Sequence, residues 1–394
     1  MIIPQKCLLY DNTAFPLLNS TEDVLPQSGD KCLFIRDKNL CIPTYSNLES
    51  QFLREIQKVV NLNNDKPYTV NSSKFSTRRY GWLGAILAPN GKIYGIPYAA
   101  SSILEVDPIT QSETIFGSFE NSGAGWFGGA LAPNGKIYFL PYKATTILEV
   151  DPNSQTVTQF GEFETTSYGK WCGASSALNG KIYGFPAGSG SVLELNPDTK
   201  TYSLFGNFED ATSFDKWRSG ALAPNGKIYG IPYDGDEIIE IDPISHSIQT
   251  FGNLGTKMNK YYGGVIAPNG KIYVVPDCEE NIIEIDPISH SIQTFGNLGS
   301  NILKYTGAVL APNGKIYGVP RSATRILEID PEQKTINFYG TLSNEETKWL
   351  GGCIASDGNI YCMSLFLKKI LKISFGDLFP FENEICASPY LNKF

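Results

Sequence analysis

The chain reads as an all-β protein: a seven-bladed β-propeller of four-stranded antiparallel blades, with a small N-terminal α/β extension. Three observations carry that reading. The heptapeptide Ala88-Pro89-Asn90-Gly91-Lys92-Ile93-Tyr94 returns at 132–138, 223–229, 267–273 and 311–317, and in altered form at 177–183 (ALNGKIY) and 355–361 (ASDGNIY). The seven copies stand 44 to 46 residues apart, a period that marks stacked supersecondary units. Between copies lie short β-branched runs separated by turn residues, with no helical periodicity, which suits a propeller blade and not a helical solenoid.

The composition sets the bounds. Of 394 residues, 42% are hydrophobic and 18% charged, so a large core can be buried and wholesale disorder is excluded. The net charge of −8 argues against a general nucleic-acid binder. No apolar run approaches the roughly eighteen residues of a membrane span. The start, MIIPQKCLLYDNTAFPLLNS, lacks the basic region and long apolar core of a secretory signal. Eight cysteines (Cys7, Cys32, Cys41, Cys172, Cys278, Cys353, Cys362 and Cys386) show no CxxC spacing and read as free thiols in a reducing, cytoplasmic setting. Only Cys32 and Cys41, across the turn of a hairpin at 31–43, are placed to face one another.

The extension spans 1–66. After the hairpin, Ser46 and Glu49 form a capping box, and Leu48, Phe52, Ile56 and Val59 or Val60 recur at helical spacing up to the Asn61-Leu62-Asn63-Asn64 stop. An amphipathic helix of about four turns is expected there, as a structural cap or a partner helix. The propeller occupies 67–374. In its first full repeat the strands are read at 84–88, 92–97, 103–107 and 114–119. Asn-Gly turns the first into the second, and Asp107-Pro108 turns the third into the fourth. The seventh repeat lacks a fourth run after 368–374. The segment 67–73 (PYTVNSS) is expected to supply it, locking the two ends together and leaving no open edge. Residues 375–394 form a tail.

Several repeat positions could carry chemistry. Trp82, Trp126, Trp171, Trp217, Tyr261, Tyr305 and Trp349 all stand nine residues before the turn glycine. At the start of the innermost strand, they would form an aromatic ring near the channel mouth, either displayed to a ligand or packed between blades. Lys170, Lys216, Lys260, Lys304 and Lys348 precede five of these aromatics, while Gly81 and Gly125 precede two. Five ammoniums on one rim would suit a carboxylate, phosphate or acidic peptide, unless nearby acids and solvent balance them. Lys92 and Asp107, with their copies, are expected to pair across strands beside the turns.

Variation concentrates in the loops between blades and in those joining strands two and three, which share one face of a propeller. The outliers there are Cys172, Arg218, Asp234, Asp236, Cys278, Glu279, Glu280, Arg321 and Arg325. Arg218 joins the aromatics and lysines as a candidate ligand contact. Asp234, Asp236, Glu279 and Glu280, in equivalent loops of neighbouring blades, are candidate ligands for a divalent cation. The histidines, His246 and His290, fall in a sixteen-residue string repeated unchanged at 240–255 and 284–299, on a turn of the monotonous face. No P-loop, GxSxG or HExxH arrangement occurs.

The unit GGALAPNGKIYGIPY…ILEIDP…TFG resembles the blades of virginiamycin B lyase-like and gluconolactonase-like propellers over about 81–374. The lyase-like resemblance implies histidine and carboxylate catalysis around a divalent metal. The gluconolactonase-like one implies a metal held by carboxylates and an asparagine. Neither ligand set maps onto residues of this channel, and no cofactor is expected. The reading is therefore a non-enzymatic interaction platform whose variable face takes a protein or an acidic ligand. A metal-assisted lyase or hydrolase and a carbohydrate-binding propeller are the alternatives.

Overall fold

The structure, a computed structural model, describes residues 34–36, 39–41, 69–72 and 81–375, with 122, 167, 209–214, 365 and 367–368 excepted. Seven sheets of four antiparallel strands make up the propeller. Blade one consists of Trp82–Leu87, Ile93–Pro97, Ile103–Asp107 and Ser112–Phe116, in that order from the axis outward. The innermost strands of the next five blades are Trp126–Leu131, Trp171–Ser176, Trp217–Leu222, Tyr261–Ile266 and Tyr305–Leu310. Blade seven is built from Gly352–Ile354, Ile360–Cys362 and Leu371–Ser374, with Thr69–Ser72 as its fourth strand. That strand sets Val70 opposite Ile373 and Asn71 opposite Lys372, so both ends of the propeller share one sheet. Innermost strands of successive blades touch all the way round, and blade seven returns to blade one.

A two-stranded hairpin, Phe34–Arg36 with Asn39–Cys41, places Ile35 opposite Leu40. The expected helix at 46–64, Cys32 and the tail after Phe375 lie outside the described residues. No helix among the described residues is long and apolar enough to cross a membrane. Cys172, Cys278, Cys353 and Cys362 are free and buried.

The strand patterns follow from burial. The first three strands of blade one are buried on both sides and read as nearly continuous apolar runs. Its outermost strand, with Glu113, Thr114 and Ile115, is largely exposed. The repeated heptapeptide is a clasp between blades. Asn90 Oδ1 accepts the Lys92 amide, closing the turn, while Asn90 Nδ2 donates to Tyr94 Oη (2.9 Å) and to the Pro152 carbonyl of the next blade (3.1 Å). Tyr94 Oη donates to Glu105 Oε2 (2.6 Å), and Lys92 Nζ holds the other carboxylate oxygen at 2.6 Å. In place of the expected Lys92–Asp107 pair stands Lys92–Glu105, while the copy Lys136 keeps Asp151 at 3.8 Å as well as Glu149 at 2.9 Å. Asp107 instead accepts the amides of Ile109 and Thr110 and shapes its own turn, because its carboxylate reaches those donors locally.

The same glutamates are reached from the following blade. Gln155 bonds Glu105, Lys200 bonds Glu149, His246 bonds Glu194 (2.7 Å), His290 bonds Glu240 (2.6 Å) and Lys334 bonds Glu284. All five reaching residues have positive φ, the backbone form that turns their side chains back across the seam. The two histidines are therefore inter-blade struts, His246 tilted against Phe205 and His290 stacked on Phe251, and lie at the turns between strands three and four.

Candidate functional site

Antiparallel strand order places the Asn-Gly and Asp-Pro turns on one face and the loops joining strands two and three, or one blade and the next, on the other. At that second face the innermost strand is bulged. The register slips between Leu83 and Ala85, Trp126 and Gly129, Cys172 and Ala174, Trp217 and Ser219, Tyr261 and Gly264, and Tyr305 and Ala308. A bulge bends its strand and re-aims a side chain. It falls where the inner strands crowd one another: a Cβ on Gly263 would stand 2.5 Å from Gly307 Cα, and Gly263 itself has φ +77°. The residue following each initial aromatic is thereby gathered with its counterparts at the axis: Leu83, Phe127, Cys172, Arg218, Tyr262, Thr306 and Leu350.

A second tier surrounds them, formed by the residue after the last one of strand two, a proline in six blades and Cys362 in the seventh: Tyr98, Tyr142, Ala187, Tyr233, Asp277, Arg321 and Met363. The two tiers line the channel mouth. Phe127 of blade two and Tyr262 of blade five, three blades apart, approach to 6.2 Å between ring centroids, a contact that crosses the axis. Tyr98 and Tyr142 pack on Phe127 at 5.3 and 5.2 Å, and Tyr233 meets Tyr262 edge-on at 5.9 Å. Small residues in blade three make room. Gly169 is required there, since a Cβ would lie 1.8 Å from the Tyr142 ring.

Arg218 sits among these rings, its guanidinium carbon 3.6 Å from the Tyr233 centroid and 5.3 Å from that of Phe127. Stacking of this kind suits the weakly hydrated guanidinium. Its Nε and Nη2 both donate to Asp215 Oδ2, at 2.9 and 2.6 Å, and Tyr142 Oη donates to the same carboxylate. Burial opposes its charge, yet Tyr233 and Asp215 hold its pKa above the ordinary value, so it stays a cation. Burial pushes the neighbouring Cys172 thiol well up, keeping it protonated and a poor nucleophile. Across the mouth, Arg321 Nη1 donates to Asp277 Oδ2 at 2.7 Å, and Asp277 is fully buried. Burial pushes the Asp277 carboxyl up to about 6, against the pull of Arg321 and Arg218.

The other candidates lie apart from this mouth. Trp82, Trp126, Trp171, Trp217, Tyr261, Tyr305 and Trp349 are buried within and between blades. Trp82 Nε1 donates to the Ser102 carbonyl at 2.8 Å, and Trp126, Trp171, Trp217 and Trp349 each repeat that bond twenty residues ahead, as Tyr305 does through its hydroxyl. They fasten the loop joining strands two and three to the innermost strand. Lys170, Lys260, Lys304 and Lys348 are buried too, with each ammonium turned into the preceding loop. There it donates to the carbonyls of Glu164, of Lys257 and Asp234, of Asn301 and of Glu345, respectively. Burial lowers all four, Lys170 to about 8. Lys216 is half-buried over the Phe208 ring.

The acidic candidates are dispersed. Asp234 accepts the amides of Asn259 and Asp215, Asp236 stands 3.9 Å from Lys260 Nζ, Glu279 stands 3.6 Å from Lys257 Nζ, and Glu280 meets Asn297 at 3.5 Å. Among the described residues no three His, Cys, Asp or Glu side chains are grouped to hold a metal ion. Of the proposed ligand contacts, Arg218 alone reaches the mouth, where it joins Tyr98, Phe127, Tyr142, Asp215, Tyr233, Tyr262, Asp277 and Arg321. Two columns of the repeat signal all of these but Asp215: the residue after each initial aromatic and the residue after the end of each strand two change type from blade to blade.

No protein-family model matches the chain, and no curated protein matches it. Solved structures do. A catalytically inactive virginiamycin B lyase from Staphylococcus aureus, determined with quinupristin, is 16% identical with a TM-score of 0.67, covering 78% of this chain and 99% of its own. A streptogramin B lyase is 18% identical at a TM-score of 0.65, covering 78% and 97%. Hydrazine synthase of Kuenenia stuttgartiensis is 14% identical at 0.58, covering 78% and 99%. At such identities the likeness is one of architecture. In fold, the chain is similar to the virginiamycin B lyases.

Proposed function

We propose that the protein is a non-enzymatic recognition platform that takes an acidic ligand, or an acidic segment of a protein, at the channel mouth on its variable face. The observation that carries this reading is the mouth itself. A scaffold repeated nearly without change around the ring ends in two tiers where every blade differs. Those tiers assemble five aromatic rings around one stacked guanidinium. Such a cup offers apolar area and a fixed cation, the pairing that anchors recognition sites.

A thermal-shift panel of acidic peptides, phosphorylated metabolites, sugars and divalent metals tests it. An acidic ligand at about a hundredfold its Kd should raise Tm on the order of 4 °C. Arg218→Gln and Phe127→Ala should each remove most of that shift. Hits that keep their full shift in both variants would place recognition elsewhere and overturn the reading.

Asp277 supports a second reading, a lyase or hydrolase. A buried carboxyl poised near neutrality beside an arginine and a tyrosine suits proton transfer, and the fold likeness to lyases points the same way. Under it, Asp277→Asn would abolish turnover of a ligand found in the panel while leaving its stabilising effect in place.

A further inference from the structure

Five buried polar side-chain atoms have no hydrogen-bond partner among the described residues; two belong to Glu113 and Glu149 in the outer strands of blades one and two, and three to the inner end of blades four to six: Ser219 Oγ, Asp277 Oδ1 and Arg321 Nε. Buried polar groups are almost always bonded, so three orphans in one sector, blades four to six, mark a place built for something else. The opposite sector is apolar, lined by Leu83, Phe127, Ala187, Leu350 and Met363. The two arginines also differ in what they have left to give. A guanidinium clasps a carboxylate through its Nε–H and Nη2–H edge. Arg218 commits that edge to Asp215. Arg321 is held by Asp277 through Nη1 instead, which fixes its orientation and leaves its Nε unbonded.

Resting on the recognition reading above, we propose that the mouth binds a small amphipathic carboxylate, whose two oxygens meet the Nε–Nη2 edge of Arg321 while its aromatic or aliphatic body lies against Tyr233, Tyr262 and Phe127. The charge count supports a single anion with a linked proton. Asp215 with Arg218, and Asp277 with Arg321, make two neutral pairs. The charged and titratable groups that act on Asp277 are Arg321 of blade six, Arg218 and Tyr233 of blade four, and Lys304 and Cys278 of the adjoining loops. An added anion raises the affinity of Asp277 for a proton, already held up to about 6 by burial. Binding therefore takes one proton from solvent and strengthens as pH falls.

The probes are phenylacetate and its neutral isostere phenylacetamide, titrated calorimetrically into the full chain at about pH 6 and about pH 8. Phenylacetate is ionised at both. The expected result is at least roughly tenfold tighter binding of phenylacetate at the lower pH, with the preference shrinking several-fold at the higher one. Arg321→Lys, which keeps the charge and loses the fork, should cut the preference without weakening phenylacetamide. Equal binding of the two probes by the unaltered protein overturns the Arg321 anchor and leaves the aromatic cup standing. A preference unchanged in Arg321→Lys also overturns the anchor. Binding of neither probe overturns both the cup and the anchor. Should Arg321→Lys fail to fold, the comparison on the unaltered protein decides.

Discussion

At Asn90 one amide side chain closes its own turn, orients a buried tyrosine hydroxyl and grips the next blade. Blade seven shows that the clasp is held by its charge pattern. There Asp357 stands where the other blades have asparagine, Asn359 where they have lysine, and Lys372 where they have glutamate. The pair is thus rebuilt with its charges exchanged: Lys372 Nζ meets Asp357 Oδ2 at 2.9 Å, and Tyr361 Oη donates to the same oxygen at 2.9 Å. Lys372→Glu alone would set two carboxylates together with no lysine between them, at a cost of about 2–4 kcal/mol. Adding Asp357→Asn and Asn359→Lys restores the pattern of the other six blades and should recover most of that loss. Denaturant unfolding of the single and triple variants measures it. A triple variant no more stable than the single one would show that the residues act independently.

The element that shapes the mouth is the bulge in the innermost strand. Gly263→Ala forces a Cβ against Gly307 at a backbone angle that side chains rarely adopt, and should cost about 2–4 kcal/mol by equilibrium unfolding. A loss below about 0.5 kcal/mol would mean the strands can part there without strain. This bulge is also where sequence and structure diverge. The strands, the Asn-Gly turns and the seven-fold period were legible because each is a local signal repeated many times. The side chains reaching the axis were not, because a period of two says which residues share a face and not which face looks inward. The initial aromatics pack inside the blades, and the residues beside them line the channel mouth. The lysines illustrate the same limit. An ammonium reads as a surface group until a loop folds back and offers it carbonyl oxygens, and that closure depends on residues far along the chain. Arg218 was recognisable because an arginine replaces leucine, phenylalanine or cysteine at its repeat position. Asp277 stands out by type in its own column, but its burial was not legible, since that is set by blades four and six.

At the scale of the whole ring, the clasp glutamates and the mouth aspartate respond to pH in opposite senses. Burial raises the carboxyls of Glu105, Glu149, Glu194, Glu240 and Glu284, but hydrogen bonds from their lysine and tyrosine partners outweigh it and hold them below the ordinary 4.5. An acid whose folded pKa is depressed contributes stability that is full above its unfolded value and is lost as pH falls through the folded one. Five such groups, each spanning a seam between blades, should make stability drop steeply below about pH 4.5. Asp277 works the other way. Its folded pKa of about 6 lies above the ordinary 3.8, so the folded state holds a proton that the unfolded chain releases, and stability from this group falls as pH rises between those values. These groups together place the most stable pH near 5, between the two limbs. A series of calorimetric Tm values against pH should show that maximum. In Asp277→Asn the decline toward pH 6 should disappear while the acid limb remains, because the amide cannot titrate and the clasps are untouched. If the acid limb vanished with it, the seams would not be held by their glutamates.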